Sequence, residues 1–135
     1  MRVTERRTMK TFSESWRAAK VAIAKAGMTV FADIDHAGAA RGVGLEMPAT
    51  RVLLYGNPLA GTPLMMAAPL VALDLPLRLL VRELPGNHSA IAYHEVSESL
   101  KEIGVEDDAA ALLNAVQHTI ADAIAPINCA EDRRR

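Results

Sequence analysis

The sequence predicts an α+β fold: a single compact domain in which a mostly antiparallel sheet is covered by two longer helices. Two long segments, residues 12–26 and 108–126, carry apolar residues at three-to-four spacing, which is typical of helices with one buried side. Between them lie short apolar runs separated by Gly, Pro and Asn, the pattern of strands joined by tight turns. A chain of 135 residues fits one domain.

The first helix is predicted from Phe12 onwards. The letters TFSE, from Thr11 to Glu14, form a capping box, in which the Thr hydroxyl and the Glu carboxylate satisfy free N–H groups at a helix start. Gly27 follows the last periodic residue, where a left-handed residue ends many helices. The buried stripe consists of Phe12, Trp16, Ala19, Ile23 and Ala26.

A half-buried strand is predicted over Met28–Asp35, because its side chains alternate between apolar and polar. The alternation places Asp33 and Asp35 on the polar, solvated face and Ile34 on the opposite face. The segment Ala37–Leu45 is small and interrupted by Gly, which indicates a short helix or a loop.

A second strand is predicted over Arg51–Tyr55. Its continuous apolar run from Val52 to Leu54 favours burial on both faces. Thr62–Ala68 then predicts a helix that begins at Thr62 and is stopped by Pro69, whose ring and missing N–H interrupt helices.

A hairpin follows, with strands over Leu77–Leu84 and Ser89–Glu95 around the turn residues 85–87. Ser97–Ile103 is a short helix ended by Gly104. Asp107 or Asp108 caps the last helix, which runs to Pro126. Its predicted buried stripe consists of Leu112, Leu113, Val116, Thr119, Ile120 and Ala123.

Three parts are predicted along the chain. Residues 1–10 form an N-terminal segment that can add an edge strand over Val3–Met9, residues 11–127 form the domain, and residues 128–135 form a C-terminal tail. The only cysteine, Cys129, falls in that tail.

Composition and charge exclude several classes of function. The formal net charge is −1 and the basic residues are scattered, which argues against a nucleic-acid partner. A single cysteine excludes an internal disulfide framework and a multi-cysteine zinc site, and it favours a reducing cytoplasm. No signal-peptide core and no uninterrupted membrane span is visible. The sequence therefore predicts a soluble cytoplasmic protein without a membrane partner.

Four ordered motifs carry a resemblance to a known family. They are MTVFADIDH, LLYGNPLAGTPLM, AAPLVALDLPLRLLV and the following strand that ends in Tyr93. With these motifs the chain resembles the domain of unknown function 302 (DUF302) family, from about Phe12 to the last helix. The family positions found here are Asp35, His36, Gly56, Asn57, Pro58, Gly61, Thr62, Pro63, Leu64, Met65, Asp74, Leu75 and Pro76.

The resemblance implies a compact α+β fold similar to the TATA-binding-protein-like β-α-β(4)-α arrangement, and members are often homodimers. It supplies no catalytic residues, since the role of the family is not established. This chain departs from the pattern at Arg82, where an aromatic residue is usual, and at His94-Glu95, which replaces an Asn-Asp-type pair.

The segment Gly56–Met65 is the first candidate site, because it is rich in Gly and Pro and carries no charge. A helix start at Thr62, with Gly61 before it and Asn57 nearby, would offer free N–H groups to a small anion. The alternative is that the glycines serve turn geometry and that the segment packs against a second subunit.

His36 is the best candidate for a titrating group, since Asp33 and Asp35 precede it closely. A carboxylate beside a histidine can orient it for acid–base chemistry. His94 and Glu95 could complete such a site if the strands align. The sequence identifies no metal site and no cofactor.

Three hypotheses follow from these residues. The first is a homodimeric module that binds a small ligand, such as a small anion, through Asn57, Gly61, Thr62 and His36. The second is an enzyme that uses His36 with Asp33 or Asp35 as acid or base. The third is a protein interaction module with no small-molecule site.

Overall fold

The computed structural model describes residues 2–127. The predicted tail 128–135, with Cys129, lies outside the described residues. The chain forms five strands, five α-helices and one 3₁₀ helix within this range. Their order is β1 Val3–Thr8, α1 Phe12–Lys25, β2 Thr29–Asp35, α2 His36–Gly42, β3 Thr50–Gly56, α3 Pro58–Ala67, the 3₁₀ helix Pro69–Leu73, β4 Leu77–Leu84, β5 His88–His94, α4 Ser97–Glu102 and α5 Asp107–Ile124.

All five strands belong to one antiparallel sheet with the order β1-β5-β4-β3-β2. The α+β fold with a mostly antiparallel sheet is therefore confirmed. The strand predicted near the N-terminus is present as β1, which lies at one edge of the sheet and pairs with β5 from Val3 opposite His94 to Thr8 opposite Ser89. The other edge is β2.

The two longer helices, α1 and α5, pack side by side on one face of the sheet. Ile23 of α1 and Ile120 of α5 are 0% and 1% exposed. Beneath them, alternate residues of the strands complete a mainly aliphatic core, which includes Leu53, Leu79, Val81 and Ile91. Alternation along each strand thus places one set of side chains under the helices.

The opposite face of the sheet carries no helical layer of comparable length. Val52 and Leu54 point to this face and are only half-buried, whereas Leu53 between them is fully buried. The prediction that β3 is buried on both faces is therefore wrong, because both long helices lie on the same side.

The predicted helix cap at Thr11, the helix end at Gly27 and the tight turn between β4 and β5 are confirmed. The Thr11 hydroxyl accepts a hydrogen bond from the Glu14 N–H at 3.2 Å and caps α1. Gly27 follows α1 with φ +76°. In the β4–β5 turn, Gly86 and Asn87 both have positive φ, +83° and +63°, a geometry that these two residue types tolerate best.

The buried stripe of α5 differs from the predicted one by about one residue. Its buried residues are Ala110, Leu113, Gln117, Ile120, Ala121 and Ile124, and Leu112 is 67% exposed. Polar Gln117 is buried because its amide donates to the His94 carbonyl at 2.8 Å and accepts from the Val96 N–H at 3.2 Å. The predicted stripe differs because a polar residue, Gln117, occupies one of the buried positions. The helix begins at Asp107 after the N-cap Glu106, which makes no side-chain cap, so the predicted aspartate cap is also wrong.

A β-bulge near the start of β2 changes which side chains face the helices. Val30 pairs with Tyr55 and Ala32 pairs with Leu54, so Phe31 is an extra residue between two consecutive partners. An extra residue interrupts the alternation of faces. The part of β2 before the bulge follows the predicted alternation, and the part after it is reversed.

Beyond the bulge, Asp33 and Asp35 point to the helix-covered face, and Ile34 is 42% exposed. Asp33 pairs with Leu53, whose side chain lies in the core. The prediction that the two aspartates occupy the solvated face is therefore wrong, and both carboxylates acquire partners within the chain.

Candidate functional site

The motif around Asn57 forms the start of α3. Asn57 is the N-cap, and its side-chain oxygen accepts a hydrogen bond from the Leu59 N–H at 2.9 Å. Its backbone carbonyl accepts from the N–H groups of Ala60 and Gly61, at 3.1 and 2.7 Å. Pro58, at the first helical position, has no N–H to satisfy. The donors of the first turn of α3 are therefore used within the chain.

The helix start predicted at Thr62 is wrong. Asn57-Pro58 and Thr62-Pro63 both carry the signal of an N-cap followed by proline, and the chain uses the first of them. Pro63 lies inside α3, where it removes one helical hydrogen bond. Because Thr62 lies within the helix, it cannot present the free N–H groups that a helix start offers to an anion.

A cavity of about 200 Å³ lies beneath α3. Its floor contains Tyr55 and Leu77, which are 1% and 2% exposed. Leu113 of α5 and Leu75 contribute further apolar walls, and Phe31, the extra residue of the β2 bulge, lies in the lining as well. The cavity therefore forms where α3, α5 and one end of the sheet meet.

Three of the predicted site residues are brought together in this lining, namely Asn57, Gly61 and Thr62. The lining contains no charged side chain within the described residues, and its hydrogen-bonding side chains are those of Tyr55, Asn57 and Thr62. The surface facing the cavity is therefore almost entirely apolar, unlike the anion site that the sequence suggested.

The two glycines of the motif affect the cavity in different ways. A Cβ atom at Gly56 would lie 3.2 Å from Cε2 of Phe31, which is tighter than usual. Because glycine lacks this atom, the end of β3 can lie close to the Phe31 ring. A Cβ at Gly61 would lie 3.9 Å from Leu75 Cδ1 and from Met65 Cε, an ordinary van der Waals distance. Packing therefore does not require glycine at position 61, and the missing side chain leaves volume to the cavity.

At the other end of β2, five side chains form what we call the aspartate cluster: Trp16, Lys20, Asp33, Asp35 and Arg51. Asp33 accepts hydrogen bonds from Trp16 Nε1 at 2.9 Å and from Arg51 at 3.1 Å. The Trp16 ring is contacted by two cations, Lys20 Nζ at 3.6 Å and Arg51 Cζ at 4.5 Å from its centroid. These contacts join α1 to the edge of the sheet.

Asp35 caps α2, accepting a hydrogen bond from the Gly38 N–H at 2.9 Å and a longer one from Arg51 at 3.4 Å. The Gly38 N–H is the main cause that lowers the pKa of Asp35 below its ordinary value; partial burial acts in the opposite direction, and Arg51 and Arg41 lower the pKa further. Such a carboxylate stays ionised and structural, which is a poor starting point for a general base near neutral pH.

His36 is the first residue of α2 and is exposed. The structure does not bring it to the cavity. The cavity adjoins Gly56, which pairs with Thr29 at the start of β2, whereas His36 follows the end of this seven-residue strand. About 20 Å of extended chain separates the two ends.

His94 and Glu95 do not align with His36 either. β2 and β5 lie three positions apart in the sheet, and His94 ends β5 at the end of the sheet where the cavity lies. Glu95 instead contacts His118 of α5 at 2.6 Å, and no sequence pattern reveals this pair because the two residues are far apart in the chain.

Several neighbours act on the pKa of Glu95. Burial raises its pKa, but hydrogen bonds from the Thr4 hydroxyl, at 2.8 Å, and from His118, together with the nearby Arg2, lower it below the ordinary value. Glu95 follows the end of β5 and bonds both Thr4 of β1 and His118 of α5, so it joins these three elements. Among residues 2–127, no group of three or more His, Cys, Asp and Glu side chains is arranged to hold a metal ion.

Fold and site together define a two-layer α+β protein with an apolar cavity under a short uncharged helix. The sequence profile of the family described as "Domain of unknown function DUF302" matches residues 4–127. The chain belongs to this family. A crystal structure of an uncharacterized conserved DUF302 protein from Bacillus stearothermophilus has the same fold, with a TM-score of 0.81 and 16% sequence identity over 92% of this chain and 98% of that one.

Similarity to curated proteins covers a shorter stretch. Over 57 residues, which are 42% of its length, this chain is 44% identical to the fluoride-specific ion channel FluC 1 of Brucella suis biovar 1 (strain 1330). It has the same identity over the same length to FluC 1 of Brucella abortus biovar 1 (strain 9-941). The matched stretch spans only 22% and 21% of those two proteins. Within residues 2–127, none of the helices has the length and hydrophobicity that crossing a membrane requires.

Proposed function

We propose that this protein is a small-molecule-binding module and that its site is the cavity beneath α3. The observation that carries the proposal is the cavity itself, about 200 Å³ in volume and lined by the uncharged family motif. Concave, mostly apolar sites with a few hydrogen-bonding groups are where proteins usually bind small ligands. The proposed site includes Asn57, Gly61 and Thr62 and leaves out His36.

The lining supports an apolar ligand better than the anion that the sequence suggested. Within residues 2–127, no Lys, Arg or His side chain is in the lining, and the first-turn N–H groups of α3 are already bonded to Asn57. A buried anion without a compensating cation loses its hydration at a large cost in free energy. The enzyme hypothesis based on His36 gains no comparable support, because Asp33 and Asp35 are bonded within the aspartate cluster.

The test is a thermal-shift screen of wild-type protein and the variant Gly61→Leu against a library of small molecules. The leucine fills the cavity side of α3 and favours helix more than glycine does. A ligand at 100 times its Kd stabilises the wild type by about 2.7 kcal/mol, which raises Tm by roughly 10 °C. We expect this shift in the wild type and its loss in Gly61→Leu.

Gly42→Leu is the matched control, since Gly42 ends α2 and a Cβ there meets nothing within 4 Å. This variant should respond to ligands as the wild type does. A ligand that shifts the Tm of wild type and Gly61→Leu equally would place binding elsewhere, and a flat screen of the wild type would contradict the proposal.

We also propose that the module is a homodimer that pairs through the outer side of α3 and the 3₁₀ helix. Leu59 and Met66 of α3 are 87% and 80% exposed, and Leu70 and Leu73 are 64% and 78% exposed. No residue of α3 is buried, although the helix carries no charge. Exposed apolar side chains of this density usually mark an interaction surface.

Light scattering during size-exclusion chromatography measures the oligomeric state. The double variant Leu59→Glu with Met66→Glu should convert a wild-type dimer to a monomer, since two carboxylates in an apolar interface are not compensated. Val43→Glu is the control, because Val43 is 76% exposed outside this surface. A monomeric wild type, or a dimer in the double variant, would contradict the proposed interface.

A second candidate function is an interaction module for another protein, favoured by the same exposed side chains and by the similarity to part of two fluoride channel proteins. The partner that we propose for this candidate is a fluoride-specific ion channel, the kind of protein that carries the similar stretch. Purification of tagged wild-type protein together with a detergent-solubilised fluoride channel, and its loss in the Leu59→Glu and Met66→Glu double variant, would support this candidate. Absence of the channel from the wild-type preparation would remove it.

A further inference from the structure

Tyr55 is the polar group in the floor of the cavity. The residue is 1% exposed, and no hydrogen bond involves its side chain among the described residues, although its hydroxyl oxygen is not one of the fully buried atoms. Burial raises the pKa of its hydroxyl far above the ordinary value, and the nearby Tyr93 acts in the same direction. The hydroxyl is therefore a neutral hydrogen-bond donor at any physiological pH. A hydroxyl on an otherwise buried side chain that has no partner within the chain is free to bond a molecule in the cavity.

Tyr93 provides an internal comparison. It lies on β5 on the same face of the sheet and is 5% exposed, and its hydroxyl, unlike that of Tyr55, is fully buried and lies near Arg6. Burial raises its pKa, while the charge of the neighbouring Arg6 opposes that shift. Tyr93 is not in the lining of the cavity. Of these two tyrosines, only Tyr55 is therefore placed to meet a ligand there.

The other hydrogen-bonding groups of the lining lie with α3. The Asn57 side-chain oxygen is already bonded to the Leu59 N–H, and Thr62 is exposed. The floor beside Tyr55 is apolar, with Leu77 as its neighbour in the register of β3 and β4. A molecule in the cavity therefore meets a carbon surface with one hydroxyl in its floor.

The volume limits the size of the ligand. An apolar cavity of roughly 150 Å³ is known to take up benzene. The cavity here is about 200 Å³, which is enough for one aromatic ring with a short substituent. A larger molecule must extend out of the cavity past α3.

From these observations, and resting on the proposed binding function, we propose a ligand class: a neutral, ring-sized molecule with an apolar body and one hydrogen-bond acceptor that receives the Tyr55 hydroxyl hydrogen. A carbonyl or ether oxygen fits this description. A carboxylate does not, because the lining contains no cation to compensate its charge.

Three probes of nearly the same shape test the ligand class: acetophenone, isopropenylbenzene and benzoate. They present a neutral acceptor, a hydrocarbon and an anion. Isothermal titration calorimetry or ligand-detected NMR measures their affinities. We expect acetophenone to bind the wild type roughly fivefold more tightly than isopropenylbenzene, the typical net effect of one hydrogen bond, and benzoate to bind most weakly.

Two conservative variants assign the preference to one hydroxyl. Tyr55→Phe removes only an unpaired oxygen, so the protein should remain folded, which its Tm verifies, and should bind acetophenone and isopropenylbenzene equally. Tyr93→Phe removes the hydroxyl that lies outside the lining and should keep the fivefold preference. Loss of the preference in Tyr93→Phe, or its retention in Tyr55→Phe, overturns the role of Tyr55.

The remaining outcomes separate this inference from the proposed function. Equal wild-type affinity for acetophenone and isopropenylbenzene, or tightest binding of benzoate, overturns the ligand class but leaves a binding module whose occupancy Gly61→Leu still blocks. Failure of all three probes to bind the wild type also overturns the ligand class. The binding function itself fails only if the wider screen, compared with Gly61→Leu, is flat as well.

Discussion

The two ends of β2 differ in how the polar side chains around them are hydrogen-bonded. At its far end, the aspartate cluster surrounds every carboxylate with donors from the chain, including Trp16 and Arg51. At its near end, the cavity leaves the Tyr55 hydroxyl without a partner and α3 without a buried residue. The first arrangement is complete within one protomer, which marks it as structural. The second lacks partners, which is why we place function there.

The largest expected effect is the loss of Arg51. Arg51→Ala removes a partner of Asp33 and Asp35 and one of the cations on Trp16, so we expect the free energy of unfolding to fall by about 2 kcal/mol. Urea unfolding measures the change. Arg78→Ala, at an exposed position on the other face of the sheet, is the control and should change stability little. An equal loss in both variants would show that the cluster is not the stabilising element.

The two helix caps sharpen the comparison. Asn57→Ala should lower the free energy of unfolding by about 1 kcal/mol, because Asn57 caps α3 and has no other side-chain bond. Asp35→Ala should be more destabilising, because Asp35 caps α2 and also bonds Arg51. Asn57→Asp and Asp35→Asn keep the capping oxygen and should recover much of the loss. A greater loss of stability in Asn57→Ala than in Asp35→Ala would contradict the structural role that we assign to the Asp35 end of β2.

Replacing glycine by alanine should change the free energy of unfolding in opposite directions in the two regions. Gly61→Ala adds a methyl group at ordinary contact distance inside a helix and should stabilise the protein by about 0.5–1 kcal/mol. Gly38→Ala places a Cβ only 2.4 Å from Asp35 Oδ2 and must displace the capping carboxylate, so it should destabilise. Thermal unfolding of both variants gives the signs, and a stabilising Gly38→Ala would contradict the tight cap.

The smallest expected effect is the pH dependence contributed by Asp35. The Gly38 N–H lowers the pKa of Asp35 below 3.8, so the folded state favours the ionised carboxylate. This contribution is fully present above pH about 4 and is lost as the pH falls through the lowered folded-state pKa. The stability difference between wild type and Asp35→Asn should therefore be larger at pH 6 than at pH 3. A difference that grows towards low pH would contradict the direction of the shift.

Sequence patterns predicted the fold well where one local signal decides the geometry. Thr11 and Gly27 bound α1, and Gly86 with Asn87 forms the hairpin turn. The patterns failed where two signals compete or where distant contacts decide. Asn57-Pro58 and Thr62-Pro63 are equally good helix starts when read alone, and burial of Gln117 depends on His94 and Val96 of another element.

The candidate site was predicted only in part, for the same reason. The uncharged motif identified the segment that contains Asn57, Gly61 and Thr62, and all three line the cavity. Its apolar character depends on Tyr55, Leu77 and Leu113, which come from three other elements. The bulge at Phe31 had no sequence signal, since an extra residue in a strand is visible only from its pairing partner.

Pairing of β1 with β5 has a consequence for the order in which the chain can fold. Val3 opposes His94, so β1 is synthesised long before the strand with which it pairs. Closing contacts of this sequence separation is slow. Until then, the edge of β5 is open and β1 is a free peptide. We therefore expect β1 to dock last, which makes the nascent chain, rather than the finished protein, the form most exposed to wrong strand pairing.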